Sequence, residues 1–170
     1  SPNQQLVPAA EYMMSELNSK KFYLLGTDYV FPRTANKVLK AFLKTKGVPD
    51  ENIIEEYTPF HHQDYQTIVG KIKAFAASGD ACVLSTINGD SNVPFYKEFA
   101  NQGLSSEDCP IMAFSVSEDE LRAMDVPPLV GHLAAWNYFQ SIKTKENIQF
   151  VRTFKTYCKE KGLPGGSKRV

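Results

Sequence analysis

The sequence contains none of the short motifs that announce common enzyme chemistries. No GxGxxG follows the first strand pattern, so dinucleotide binding has little support. No GxxxxGK[ST] is present, so a P-loop is absent, and no GxSxG elbow marks a hydrolase nucleophile. Cysteine is scarce: Cys82, Cys109 and Cys158 are three, an odd number, far apart and without a CxxC pair. They read as free buried thiols, with a single disulfide as the alternative. Histidine is equally sparse, with His61 adjacent to His62 and His132 alone, a spacing that does not suit zinc. No metal or other cofactor is expected. Charge of either sign is not in excess: nineteen basic and nineteen acidic residues cancel. A neutral chain has no general pull toward nucleic acid or an anionic membrane surface. Long apolar runs are also missing, so no membrane span is expected. No signal peptide is read, and Ser1 in place of Met makes the chain look processed or cut from something longer.

What is present is alternation. The 170 residues suffice for one domain with a substantial core. Leu6, Ala9, Ala10, Met13, Met14 and Leu17 recur at helical spacing behind Pro2. Phe22 to Leu25 is an apolar strand pattern that Gly26 is expected to end. Val38, Leu39, Phe42 and Leu43 then predict an amphipathic helix over Thr34 to Lys46, closed by Gly47. Ile53 to Tyr57 is a second strand, and Asp64 caps a helix from Tyr65 to Ala77. Ala81 to Ser85 is a third strand and Pro94 to Gln102 a helix ending at Gly103. Pro110 to Phe114 is a fourth strand. Ser117 with Glu120 fits a capping box for a helix to Met124. Leu129 to Trp136 is read as a last strand. Thr144 to Lys161 is a final helix with Ile148, Val151, Phe154 and Tyr157 on one stripe, followed by a tail of low order. Strands alternating with helices predict an α/β fold, a three-layer α/β/α sandwich around a mostly parallel sheet.

Parallel strands share one carboxyl edge, and ligands of open α/β sheets bind beyond it. The exit loops there are polar: Thr27-Asp28-Tyr29, the run Thr86 to Asn92, and Ser115 to Glu118. Hydroxyls, amides, a phenol and a few carboxylates suit a small polar ligand held by hydrogen bonds. Each residue also has a plainer reading. Asp28 and Asp90 serve as helix caps, Asn88-Gly89-Asp90 as a turn, Ser117 as a cap, and Tyr29 as packing on the next helix. A Ser/His/Asp hydrolase site would have to assemble in space around His132, with no motif pointing to it.

The segments GTDYVFPRTAN (26 to 36), TINGDSN (86 to 92), FSVSEDELR (114 to 122) and GHLAAWNYFQSI (131 to 142), with the PNQQLVPAAEY opening, carry a resemblance. They resemble the urea- and short-chain-amide-binding proteins of the branched-chain-amino-acid-type periplasmic binding family. The resemblance implies a bilobal receptor that closes on its ligand and delivers it to the permease of an ABC importer. It implies a periplasmic or extracellular location. Members run to roughly twice this length. By this likeness residues 1–135 form the second lobe, 136–162 the hinge crossing and first returning helix of the other lobe, and 163–170 a disordered tail. The implied ligand contacts are Tyr29 first, then Asp28, Thr86, Asn88, Asp90, Ser115, Ser117 and Glu118. In amino-acid-binding relatives a carboxylate near Glu118 holds an ammonium group. Urea and amides carry no such charge, so a helix-start role for Glu118 fits equally well. A ligand-sensing domain and a small hydrolase on a similar sheet are the alternative functions.

Overall fold

The computed structural model describes residues 2–164. Two compact units divide between Trp136 and Asn137. In the first, helices and strands alternate: α1 (Pro2–Ser15), β1 (Lys21–Thr27), α2 (Val30–Thr45), β2 (Ile53–Thr58), α3 (Gln66–Ala76), β3 (Ala81–Thr86), α4 (Asn92–Asn101), β4 (Ile111–Ala113), α5 (Glu118–Arg122) and β5 (Leu133–Ala134). The five strands form one sheet in the order β2-β1-β3-β4-β5, and every neighbouring pair is parallel.

Successive strand residues face opposite sides, and the two cores follow that alternation. Phe22, Leu24, Cys82, Leu84 and Met112 face α1 and α2, where Leu6, Ala10, Met13, Leu39 and Leu43 meet them. Tyr23, Leu25, Val83 and Ile111 face α3 and α4, against Ile68, Val69, Ile72, Phe95 and Phe99. The result is the three-layer α/β/α sandwich. Cys82, Cys109 and Cys158 are free and buried.

Helix ends follow local chemistry. Gly47 and Gly103 take φ of 83° and 82°, which lets Val48 and Leu104 return hydrogen bonds to Leu43 and Phe99 at 3.1 Å. Ser117 and Glu120 form the expected capping box at α5.

Two expectations are corrected. Gly26 does not end the first strand but lies inside it, since β1 runs on to Thr27. A Cβ at Gly26 would meet the Pro32 Cβ at 2.8 Å and collide with the Thr86 hydroxyl, so the glycine is needed for the close approach of strand and helix. The strand expected over Leu129 to Trp136 is only Leu133–Ala134, with a 3-10 turn at Pro127–Leu129 before it. Its partner β4 spans only three residues, and Gly131 at φ 84° turns the chain just before the ladder begins.

The second unit holds α6 (Lys145–Glu160). The Thr144 hydroxyl caps it by accepting from the Asn147 N–H at 3.2 Å, and the Asn147 amide donates to the Ile142 carbonyl at 2.7 Å. On the expected apolar stripe Val151 and Phe154 are half-buried, whereas Ile148 and Tyr157 are exposed. Of the tail expected over 163–170, residues 165–170 lie outside the described residues. The Leu163 N–H donates to the Cys158 carbonyl at 2.8 Å.

Candidate ligand-binding edge

The sheet order determines where a crevice opens. β1 lies between β2 and β3; α2 follows β1 onto one face, and α3 and α4 follow β2 and β3 onto the other. Loops leaving β1 and β3 therefore part in opposite directions, which is the usual position of a binding crevice in open α/β sheets.

Backbone and side-chain hydrogen bonds lace three of the exit loops together. The Asp28 N–H donates to the Thr58 carbonyl at 2.7 Å, joining the ends of β1 and β2. The Asn88 N–H donates to the Thr27 hydroxyl at 2.9 Å, joining β1 to β3. His61 Nδ1 lies 3.1 Å from the Asp90 carboxylate, joining β2 to β3. Asn92, at the start of α4, donates its amide to the carbonyls of Ile87 and Gly89, both at 3.1 Å, and so shapes the β3 exit.

Tyr29 stands at the N-cap position of α2 in extended conformation, and its side chain makes no cap bond. Its ring packs on Phe60 at 5.0 Å and 36° and on Phe31 at 6.4 Å. The ring is half-buried, and the partial loss of water pushes the phenol pKa up. Among the described residues its hydroxyl has no hydrogen-bond partner. Phe60 is 51% exposed, so the two rings present an aromatic wall at the edge.

Asp28 is exposed and paired with Arg33 Nε at 2.6 Å, which holds its carboxyl below the usual carboxylate range. The Arg33 guanidinium in turn lies 4.4 Å from the centre of the Tyr57 ring. Asn88 and Asp90 are exposed beside them in sequence order along the β3 exit. Ser115 is half-buried at the β4 exit, which the Phe114 N–H aligns with β3 by donating to the Ser85 carbonyl at 2.8 Å.

The other expected residues are placed differently. Thr86 is fully enclosed, and its hydroxyl donates to the Leu25 carbonyl at 3.5 Å, so it supports the sheet end and does not face an opening. That expectation is corrected, because the tight approach at Gly26 seals Thr86 from above. The Ser117 hydroxyl is engaged with the Glu120 carboxylate in the α5 cap. Glu118 is half-buried as the first residue of α5, which agrees with a helix-start role.

Residue-by-residue reading of the chain missed Phe60 and the pairing of His61 with Asp90. Phe60 follows a strand and Pro59, so its position at the edge was open to inference. Its contact with Tyr29 was not, since that depends on β1 and β2 being neighbours. Among the described residues no group of three His, Cys, Asp or Glu side chains converges as a metal site.

The comparisons agree with this architecture. A periplasmic binding protein domain model matches residues 1–166. A solute-binding protein of an ABC transporter from Rhodopseudomonas palustris HaA2, solved with p-hydroxybenzoic acid, superposes with a TM-score of 0.75 at 20% identity, over 92% of this chain and 42% of that one. A putative branched-chain amino acid ABC transporter protein from Rhodospirillum rubrum gives 0.78 at 12% identity, over 92% and 43%. A leucine-binding protein from Thermotoga maritima MSB8 gives 0.73 at 13%, over 91% and 42%. The chain thus spans less than half the length of these proteins. With nearly its whole length matched by the family model, the chain belongs to the periplasmic binding protein domain family.

Proposed function

We propose that this chain forms one wall of a solute receptor, supplying an ABC importer from the periplasm or cell exterior, and that its ligand is urea or a short-chain amide. The observation that carries the reading is Tyr29: a phenol with no partner among the described residues, on an exposed aromatic wall, beside loops that offer mostly acceptors. Urea presents four N–H donors and one carbonyl. The carboxylates of Asp28 and Asp90, the Asn88 side chain and the Ser115 hydroxyl are of the type that accepts those N–H groups. The Tyr29 O–H is of the type that donates to the carbonyl. A ligand so polar must find partners for nearly all its groups, since each one left unmet on burial costs about 1–3 kcal/mol. In the two-lobed arrangement that the family resemblance implies, a facing lobe completes the site, and contacts made only in the closed form drive closure.

A second reading is a planar aromatic acid. The Tyr29–Phe60 wall offers ring faces and Arg33 a guanidinium, and relatives from R. palustris were solved with 4-hydroxybenzoate and with benzoate. Calorimetric titration of the full-length two-lobed protein with urea, acetamide and 4-hydroxybenzoate separates the two. Saturable heat with urea or acetamide and none with the aromatic acid is the expected result. The reverse pattern favours the second reading, and ammonia release from urea would show turnover in place of binding.

A further inference from the structure

Beyond the β4 exit loop, α4, the segment from Val116 to Val130 and strand β5 line a half-open cavity of about 310 Å³, with Val126 and Val130 exposed at its mouth. That lies within the range of small-molecule pockets, roughly 300–1,000 Å³. It is about twice the volume of an apolar cavity that admits benzene, ~150 Å³. Its walls are aliphatic, with Val116, Leu121, Leu129 and Leu133 among them, apart from Tyr96 and His132.

Those two side chains carry donors without an acceptor among the described residues. Tyr96 is 4% exposed, and among the described residues its hydroxyl has no hydrogen-bond partner. The Ile111 N–H donates to His132 Nδ1 at 3.0 Å. With Nδ1 accepting, the neutral ring carries its proton on Nε2. That N–H also lacks an acceptor among the described residues. Edge contacts with Tyr96 at 5.6 Å and Phe99 at 5.4 Å hold the imidazole plane. Burial keeps the ring uncharged near neutral pH, with its pKa pushed down to about 4.

Two donors on an otherwise aliphatic wall suit a ligand that brings an acceptor, since a few placed polar groups fix orientation in an apolar pocket. No charged side chain lines the cavity, and an ion would lose its hydration with nothing to replace it. We propose that this cavity is a second binding site, for a small uncharged molecule with an apolar frame and one carbonyl oxygen. The His132 Nε2–H donates to that oxygen, with the Tyr96 hydroxyl as the second donor.

The test is nuclear magnetic resonance of the 170-residue chain with ¹⁵N-labelled histidine, titrated with cyclohexanone and, separately, methylcyclohexane. Cyclohexanone is expected to saturate, shift the His132 ring signals, and bind about tenfold or more tighter than methylcyclohexane. Tyr96→Phe and His132→Asn should each weaken cyclohexanone severalfold and leave methylcyclohexane unchanged. Absence of saturable cyclohexanone binding overturns the proposal. So does equal binding of both probes with indifference to both variants, which describes a mere apolar void. Water retained on Nε2–H in the presence of saturating cyclohexanone overturns it as well. Thermal melting checks the variants; if His132→Asn does not fold, the nearly isosteric Tyr96→Phe decides with the two probes alone.

Discussion

The Thr27 hydroxyl accepts the Asn88 N–H at 2.9 Å across two adjacent strands, so the loop after β3 is held by the last residue of β1. Thr27 is fully buried. Thr27→Val keeps the shape and removes the acceptor, leaving an amide without its partner. The expected loss is about 1–3 kcal/mol in chemical denaturation. Hydrogen exchange should quicken at Asn88 more than at Leu84 in the centre of β3; uniform quickening would mean that the bond does not localise the loop.

Gly26→Ala tests the close approach of β1 to α2. The added methyl meets the Pro32 Cβ at 2.8 Å and the Thr86 side chain, and neither neighbour is a flexible chain end. Overpacking of this kind costs about 1–3 kcal/mol. A denaturation midpoint unchanged from the parent would show that strand and helix separate more easily than the packing implies.

Removal of the Tyr29 ring separates a binding role from a structural one. Tyr29→Ala in the full-length two-lobed protein should weaken solute binding by about tenfold or more. Tyr57→Ala should weaken it less, because that phenol already donates to Glu55 and accepts from Asn36 at 3.2 Å. Calorimetry on both variants gives the comparison, and equal losses would take Tyr29 out of the site. Tyr29→Phe isolates the hydroxyl from the ring face.

Acid should act through His132. Its folded pKa, about 4, lies below the ordinary value of 6.5, so the unfolded chain takes up the proton first. The stabilising difference is fully present above pH 6.5 and is lost as pH falls toward 4, to a limit of roughly 3 kcal/mol. His132→Asn, whose side-chain oxygen can still accept from the Ile111 N–H, should flatten that part of the stability–pH curve. Denaturation at several pH values between 4 and 7 measures the difference between parent and variant. Parallel curves would show that His132 is solvated in the folded state.

Much of the architecture was readable because strands buried on both faces spell themselves as apolar runs, as Phe22–Leu25 and Ala81–Leu84 do. Caps are also local: Ser117 and Glu120 lie three residues apart and find each other without help from the fold. Gly26 was misread because its need arises from Pro32 and Thr86, which approach only after the sheet and helix pack. Thr86 was misread for the same reason: as one polar residue in a polar run, it gave no sign that its neighbours would enclose it. The pairing of Tyr29 with Phe60 and of His61 with Asp90 depends on strand order, and no periodicity within either segment encodes it.

The side-chain amide of Gln5 donates to the carbonyls of Phe114 at 3.0 Å and Ala135 at 2.6 Å, contacts that span most of the first unit's sequence. Both carbonyls sit just past short strands, where the ladder has little backbone left to offer. A single turn of the opening helix thus acts as a clasp across the weak margin of the sheet. Trimming the polypeptide past Gln5 would leave most of the apolar interior in place. It would nevertheless unfasten the side of the molecule from which the chain passes on to its second unit.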